Sequence, residues 1–140
     1  QEERESSVHL ELSVLESVVK DKRIVLVEGS IVRGTTIANL IHMLKEAGAK
    51  EVHVRISSPP FLHPCYFGTD VPSNDQLIAA SHSTEEICKM IGADSLGYMQ
   101  TDYLEGMAGG LPLCKACFDG NYPMEIPDYT NAEFADIVKC

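Results

Sequence analysis

The sequence lacks a long hydrophobic run, an excess of basic residues and an export signal. No segment of the 140 residues approaches the roughly 18 consecutive apolar residues of a membrane span, so we expect no membrane partner. Eleven Lys and Arg residues accompany 21 Asp and Glu residues, and the net charge of -10 would repel nucleic acid. Without a secretory signal the sequence indicates a cytoplasmic protein. The first residue is Gln1, which suggests a piece of a longer protein.

The cysteines are few, and their number is odd. In a chain without export signals, an odd number of cysteines argues against a disulfide framework and favours metal or cluster binding. The five are Cys65, Cys88, Cys114, Cys117 and Cys140. The remaining composition, 44% hydrophobic and 23% charged, is that of an ordinary globular chain, and its length suits a single domain.

A strand, a helix and a second strand follow one another in the first half. Residues 24–27 (IVLV) form an unbroken apolar run, which predicts a strand buried on both faces of a parallel sheet. Residues 35–49 have apolar positions at helical spacing, with Gly48 as the stop. Residues 52–56 alternate between apolar and polar types, as a second strand would. Together they predict a βαβ unit and an α/β fold with a parallel sheet.

The second half has weaker signals. Two capping boxes, Ser73 with Gln76 and Ser83 with Glu86, predict helix starts after a Pro- and Gly-rich loop. Four further segments complete the prediction: strands over residues 8–12 and 95–99, and helices over 101–107 and 131–140, with loop from Leu111 onward.

The segment VLVEGSIVRGTT (residues 25–36) leads from the end of the first strand into the first helix. Ligands of α/β proteins bind at this edge of the sheet. Gly34 allows close approach to the backbone, and the amides of residues 33–36 converge at the helix amino end. These groups suit a dianionic phosphate. Three hydroxyls add to them, those of Ser30, Thr35 and Thr36. The plainer alternative is that Thr35 only caps the helix and Gly34 only turns the chain.

Three cysteines lie in loops. Cys114 and Cys117 form a C-x-x-C pair, which can bind one metal centre, and Cys65 lies in HPCYFG about fifty residues earlier. From the residues alone, zinc, an iron-sulfur cluster, a redox pair and incidental thiols all remain open. A redox pair would usually begin a helix in a βαβ unit, whereas this pair lies in a late loop. His63, two residues before Cys65, is a further candidate metal ligand.

The chain resembles the amidophosphoribosyltransferases of purine synthesis. The resemblance lies in SIVRGTT, EAGAKEVHVRISSPP, HPCYFG and IGADSLGY, and it spans about residues 8–127. It implies a partial type I phosphoribosyltransferase fold over residues 1–127, doubly wound with a mostly parallel sheet. A loop-rich, cluster-binding extension ends that part, and residues 128–140 form a tail. Enzymes of this family transfer ammonia from glutamine to phosphoribosyl diphosphate and release diphosphate.

The resemblance also implies the binding residues. It assigns phosphoribosyl diphosphate or a nucleoside monophosphate to Glu28, Ser30, Ile31, Val32, Arg33, Gly34, Thr35 and Thr36. In the family two acidic residues precede this serine, and they contact the ribose near a Mg²⁺ ion. Here Glu28 is followed by Gly29, which supplies no carboxylate. Losing such a hydrogen bond costs about 1.5 to 3 kcal/mol, so the substitution puts catalysis in doubt.

The resemblance assigns Cys65, Cys114 and Cys117 to a 4Fe-4S cluster. The fourth ligand in the family lies upstream of this region, and Cys88 and Cys140 are weak substitutes. The family's glutaminase domain is also absent from these residues, so we expect the isolated chain to be inactive. The resemblance further implies that the parent protein is a homo-oligomer. The alternatives are a noncatalytic phosphoribosyltransferase-like binding module and a zinc-stabilised structural domain.

Overall fold

A three-stranded parallel sheet forms the centre of the molecule. The computed structural model describes residues 14–68, 71 and 73–126. In them the strands β1 (Arg23–Glu28), β2 (Glu51–Ile56) and β3 (Ser95–Tyr98) lie in the order β1-β2-β3. Ile24 pairs with Val52, and Val54 pairs with Leu96. The predicted α/β class and parallel pairing are confirmed, whereas the strand over 8–12 and the helix over 131–140 lie outside the described residues.

The described residues also form six short to medium helices. They are α1 (Glu16–Val19), α2 (Thr35–Glu46), α3 (Ile78–Ser81), α4 (Thr84–Met90), α5 (Tyr103–Met107) and α6 (Ala116–Asp119), with a 3-10 turn at Asn74–Gln76. Helix α2 connects β1 to β2 and ends before Gly48, whose φ of 89° only glycine adopts readily. In the described part of the chain, no helix is both long and apolar enough to cross a membrane.

The main core lies between one face of the sheet and helices α2 and α4. Val52 and Val54 of β2 are 0% exposed, and Ile41 of α2 and Ile87 of α4 are 1% exposed. All four belong to one apolar cluster. Full burial of such a side chain stabilises a fold by about 1.5 to 3 kcal/mol, so this layer holds the carboxyl ends of the strands in place.

The prediction that β1 is buried on both faces is wrong for the described residues. Val25 is 63% exposed and Val27 is 68% exposed, whereas Ile24 and Leu26 pack against the core. Among the described residues β1 pairs with β2 alone, and the helices of the core cover only the face that bears Ile24 and Leu26.

Two predictions about helix starts had different outcomes. The capping box at Ser83 is confirmed, because Glu86 N–H donates to Ser83 Oγ and Ser83 N–H donates to Glu86 Oε2. The box at Ser73 is wrong, since Ser73 makes no side-chain cap and the Gln76 side chain accepts a hydrogen bond from Arg33. The prediction of unbroken loop after Leu111 is also wrong, because the single turn α6 lies within it.

In the described part of the chain, two side-chain hydroxyls are buried without a hydrogen-bond partner. Among the described residues, Tyr98 OH and Ser58 Oγ are the buried side-chain oxygens that make no hydrogen bond. Burial raises the pKa of Tyr98 from 10.0 to about 12. The folded state favours the neutral phenol of Tyr98. Its contribution to the stability of the fold is therefore fully present below pH 10 and is lost as the pH rises through about 12.

Replacing Tyr98 with phenylalanine should therefore stabilise the fold. We expect the free energy of unfolding in urea to rise by about 1 kcal/mol at pH 7, because an unsatisfied buried hydroxyl is removed. The difference from wild type should widen above pH 10, where only the tyrosine must lose its proton. Tyr103→Phe is the control, since Tyr103 is 59% exposed and should change little. A Tyr98→Phe protein less stable than wild type at pH 7 would contradict the assignment.

Candidate phosphate cleft and cysteine layer

The residues between β1 and α2 line one cleft at the carboxyl edge of the sheet. The cleft has a volume of about 330 Å³, within the range of small-molecule pockets. Its lining consists of Glu28, residues 30–37 and Leu40. All eight residues assigned to substrate binding from the sequence are therefore brought together here. We call residues 28–36 the phosphate loop.

The loop offers unpaired donors at the amino end of α2. Within residues 14–68, 71 and 73–126, no hydrogen bond involves the amide N–H groups of residues 33–36 or the hydroxyls of Ser30, Thr35 and Thr36. The twelve-residue helix α2 has no acidic side chain in its first turn, so nothing there offsets its positive end. Converging free amides, hydroxyls and a helix dipole are the features that bind phosphate.

Gly34 and Ile31 fix the shape of the phosphate loop where it packs against the main core. Gly34 has a φ of 85°, in the left-handed region. A Cβ at this position would lie 3.2 Å from Ile78 Cδ1 and 3.5 Å from Ile91 Cγ2. The side chain of Ile31 is 2% exposed and belongs to the main core. Ile31 can therefore contribute to a ligand site through its backbone but not through its side chain.

Glu28 closes the strand side of the cleft. Its Oε1 accepts a hydrogen bond of 2.8 Å from Gly29 N–H, and its carbonyl accepts one of 2.9 Å from Ser57 N–H. Ser57 Oγ also donates to the same carbonyl at 3.2 Å. A Cβ at Gly29 would meet nothing within 4 Å. The position that lacks the second carboxylate is therefore open to a side chain.

Arg33 points toward a partner that the sequence analysis did not identify. Arg33 Nη2 donates to Gln76 Oε1, although the two residues are 43 positions apart. The acceptor is an uncharged amide, so the bond adds no negative charge beside the Arg33 guanidinium in the lining of the cleft. No periodicity or spacing in the sequence indicated this pair, because the contact depends on how the residue 73–81 segment folds back.

The predicted metal ligands lie around a second, smaller apolar cluster. We call it the cysteine layer; it consists of Val32, Phe61, Cys65, Val71, Leu77, Cys117 and Phe118. Two backbone amides, those of Leu62 and His63, donate to the Cys117 carbonyl at 2.9 and 3.1 Å. Tyr122 OH donates to the Pro64 carbonyl at 2.8 Å. The fold therefore brings Cys65 and Cys117 into one layer, as the resemblance implied.

The environment of Cys117 raises the pKa of its thiol. Burial first, and then negative charge at Cys65 and Cys114, raises the pKa of Cys117 to about 11. Cys114 is exposed, whereas Cys65 and Cys117 are half-buried. Among the described residues no group of three His, Cys, Asp or Glu side chains has an arrangement that holds a metal ion.

Cys88, unlike Cys65 and Cys117, is not a member of the cysteine layer. Cys88 lies on α4, where its sulfur donates to the Ala93 carbonyl at 3.3 Å. Cys140 lies outside the described residues. The side chain of His63 lies against Gly120, where an added Cβ would be 3.0 Å from its Nε2. Among the described cysteines, Cys88 therefore lies apart from Cys65 and Cys117.

Comparison with known proteins gives one consistent result, although no protein-family model matches the chain. An amidophosphoribosyltransferase of Pyrococcus horikoshii is 56% identical over 120 residues, which is 86% of this chain and 27% of that protein. The amidophosphoribosyltransferase of Bacillus subtilis is 48% identical over 132 residues, 88% of this chain and 27% of that protein.

Solved structures agree. One is the glutamine phosphoribosylpyrophosphate amidotransferase of Bacillus subtilis complexed with ADP and GMP, with 47% identity and a TM-score of 0.78 over 92% of this chain. A second, described as the allosteric regulatory enzyme of purine biosynthesis, has 43% identity and a TM-score of 0.72. This chain spans 30% and 29% of those two chains. The sequence identities and the shared fold thus show that this chain belongs to the amidophosphoribosyltransferase family, and it spans about three tenths of the length of the relatives named here.

Proposed function

We propose that this chain is the part of an amidophosphoribosyltransferase that holds the ribose 5-phosphate group. The complete enzyme would convert glutamine and phosphoribosyl diphosphate into 5-phosphoribosylamine, glutamate and diphosphate in purine synthesis. It would act in the cytoplasm as a homo-oligomer and would use a glutaminase domain outside these residues. These 140 residues alone would bind ligand without amidotransferase turnover, because the glutaminase domain would supply the ammonia.

The free donors of the phosphate loop support this proposal most directly. A terminal phosphate placed in the cleft would accept hydrogen bonds from amides that have no other described partner. Such charge-assisted bonds are stronger than those between neutral groups. The loop would thereby fix one end of the sugar. Glu28 lines the same cleft and would accept a hydrogen bond from a ribose hydroxyl.

Magnesium fits this cleft through one protein ligand. The ion commonly keeps several waters and uses one or two carboxylates together with substrate phosphates. Glu28 is exposed and supplies the single carboxylate, since Gly29 has none. When bound, Mg²⁺ would neutralise charge on the diphosphate. Glu28 would need to exchange its bond with Gly29 N–H for the ion.

The binding role can be tested with Thr36→Val. We expect ribose 5-phosphate to bind the wild-type chain in isothermal calorimetry and the variant to bind about tenfold more weakly, because one hydroxyl bond to a charged group is lost. Thr84→Val is the matched control, since Thr84 begins α4 and is not among the residues that line the cleft. Absence of binding heat with well-folded wild type would refute the proposal.

Cys65, Cys114 and Cys117 would hold a 4Fe-4S cluster with a fourth ligand from elsewhere. The donor set fits, because such clusters are bound by cysteine thiolates. Cys65 and Cys117 lie in one layer, and negative charge at Cys65 contributes to the raised pKa of Cys117. A positively charged iron centre would favour the thiolate of Cys117 against the burial, and then the neighbouring negative charge, that raise its pKa. The cluster would tie the 61–66 and 114–122 segments together and thus stabilise the fold.

Metal analysis of anaerobically purified chain tests the cluster. We expect iron and inorganic sulfide in the wild type, and a loss of most of both in Cys117→Ser. Cys88→Ser is the matched control, because Cys88 lies on α4 and should leave the iron content unchanged. Zinc without sulfide would instead identify a structural zinc site.

A noncatalytic binding module is the second candidate, and one observation favours it. The Glu28 carboxylate accepts from Gly29 N–H, so the residue expected to help with the cation is occupied locally, and the next residue has no side chain. Such a chain would bind sugar phosphates or nucleotides without metal. The Gly29→Asp variant described below separates the two candidates.

A further inference from the structure

Residues 76–78, which we call the brace, contact the phosphate loop at three consecutive positions. Ile78 N–H donates to the Val32 carbonyl at 2.9 Å. The Gln76 side chain accepts from Arg33. Ile78 Cδ1 lies where a Cβ at Gly34 would approach it to 3.2 Å. The conformation of the loop is therefore held by residues more than forty positions further along the chain.

The brace is itself firmly anchored. Leu77, at its centre, is 1% exposed and packs with Phe61 and Val71 in the cysteine layer. Val32 of the phosphate loop packs against the same cluster. Leu77 N–H donates to the Asn74 carbonyl at 3.0 Å and so closes the turn before it. A side chain that extends from this segment therefore has a fixed origin.

The Gln76 side chain bonds Arg33 and does not form a capping box with Ser73. Its sequence position suits a capping box with Ser73, and that box does not form. Local preferences are most often overridden where a residue has a functional or positional role. The bond also leaves the pair with a net positive charge, because an amide carbonyl carries no negative charge. A carboxylate at position 76 would hold the guanidinium equally well but would cancel its attraction for a phosphate.

We propose that Gln76 is a positioning residue for the anion site, acting through Arg33. By holding the guanidinium, it keeps the backbone of residues 32–34 in the conformation that presents the amides of the phosphate loop. It also keeps an uncompensated positive charge at the rim of the cleft. The ligand class is a sugar phosphate with a doubly charged terminal phosphate. This inference rests on the proposed function, since it presupposes that the cleft binds such an anion.

A double-mutant cycle tests the positioning role. We expect Gln76→Ala to weaken ribose 5-phosphate binding about fivefold in calorimetry, the equivalent of one ordinary hydrogen bond. In the Arg33→Ala background the same substitution should have no further effect, because its partner is already missing. Gln76→Glu should also bind more weakly than wild type, while hydrogen exchange over residues 30–37 stays at the wild-type rate.

Exchange and stability measurements separate positioning from general damage. Gln76→Ala should speed hydrogen exchange in residues 30–37 without changing the midpoint of urea unfolding, since Gln76 is outside both apolar clusters. Asn74→Ala is the matched control, because Asn74 is exposed in the same turn. Wild-type affinity in Gln76→Ala, or equal losses in both backgrounds, would overturn the positioning role alone. A wild-type chain that binds no ribose 5-phosphate would overturn the proposed function and this inference together.

Discussion

Replacing Gly34 with alanine should remove measurable binding of ribose 5-phosphate. The backbone at Gly34 is left-handed, with a φ of 85°, and a side chain there costs about 1 to 2 kcal/mol. The added Cβ would also lie 3.2 Å from Ile78 Cδ1 and 3.5 Å from Ile91 Cγ2. Ile91 is buried in the core, so the loop rather than the core should move. A shift of the loop displaces several amides at once, and we expect a loss of more than about a hundredfold in affinity.

The chain offers a closely matched control in Gly48. Its φ is 89°, and an added Cβ would lie 3.2 Å from Lys20 Cγ, so both the backbone strain and the contact resemble those at Gly34. Gly48 follows the carboxyl end of α2, whereas Gly34 precedes the amino end. Gly48→Ala should lower the free energy of unfolding by a similar amount and leave calorimetric binding intact. Equal loss of binding in both variants would show that general destabilisation, not loop geometry, is responsible.

Replacing Gly29 with aspartate should restore a cation-dependent site. A Cβ at Gly29 meets nothing within 4 Å, and its backbone is not left-handed, so the carboxylate can be accommodated without strain. It would supply the second acidic side chain beside Glu28. We expect the affinity for phosphoribosyl diphosphate in the presence of Mg²⁺ to rise about ten- to a hundredfold, the reverse of the loss estimated for one charge-assisted hydrogen bond. Calorimetry with and without EDTA measures it.

Gly68→Asp is the control for added charge. Gly68 is exposed, and a Cβ there also meets nothing within 4 Å, but the residue is outside the cleft. Gly68→Asp should leave the affinity for phosphoribosyl diphosphate unchanged. A rise in Gly29→Asp that persists in EDTA would contradict a cation site. No rise at all would favour the noncatalytic binding module, because the absent carboxylate would then not be what limits the cleft.

The strand, helix and strand around the phosphate loop could be predicted because their signals are local. Apolar runs and helical spacing fix β1, α2 and β2, and the loop residues are contiguous, so they must line one site. The Ser83 capping box was equally local. The burial of β1 could not be predicted from local signals, because the exposure of Val25 and Val27 depends on which elements cover that face.

Contacts between distant segments could not be predicted from patterns. Gln76 is a capping residue by spacing, yet its partner is Arg33, and only the folded chain brings the two together. Helix α6 was missed because it is a single turn of four residues without a side-chain cap. The proximity of Cys65 and Cys117 came from the family resemblance alone, since 52 positions separate them and no period relates them.

The bonds between the brace and the phosphate loop join a guanidinium, a carboxamide and two peptide groups. None of these groups gains or loses a proton near neutral pH. A phosphate monoester, by contrast, changes from one negative charge to nearly two as the pH passes about 6. The conformation of the phosphate loop would thus stay constant while the ligand titrates. Acidification would weaken the complex because the sugar phosphate loses negative charge, and not because the bonds between the brace and the loop change.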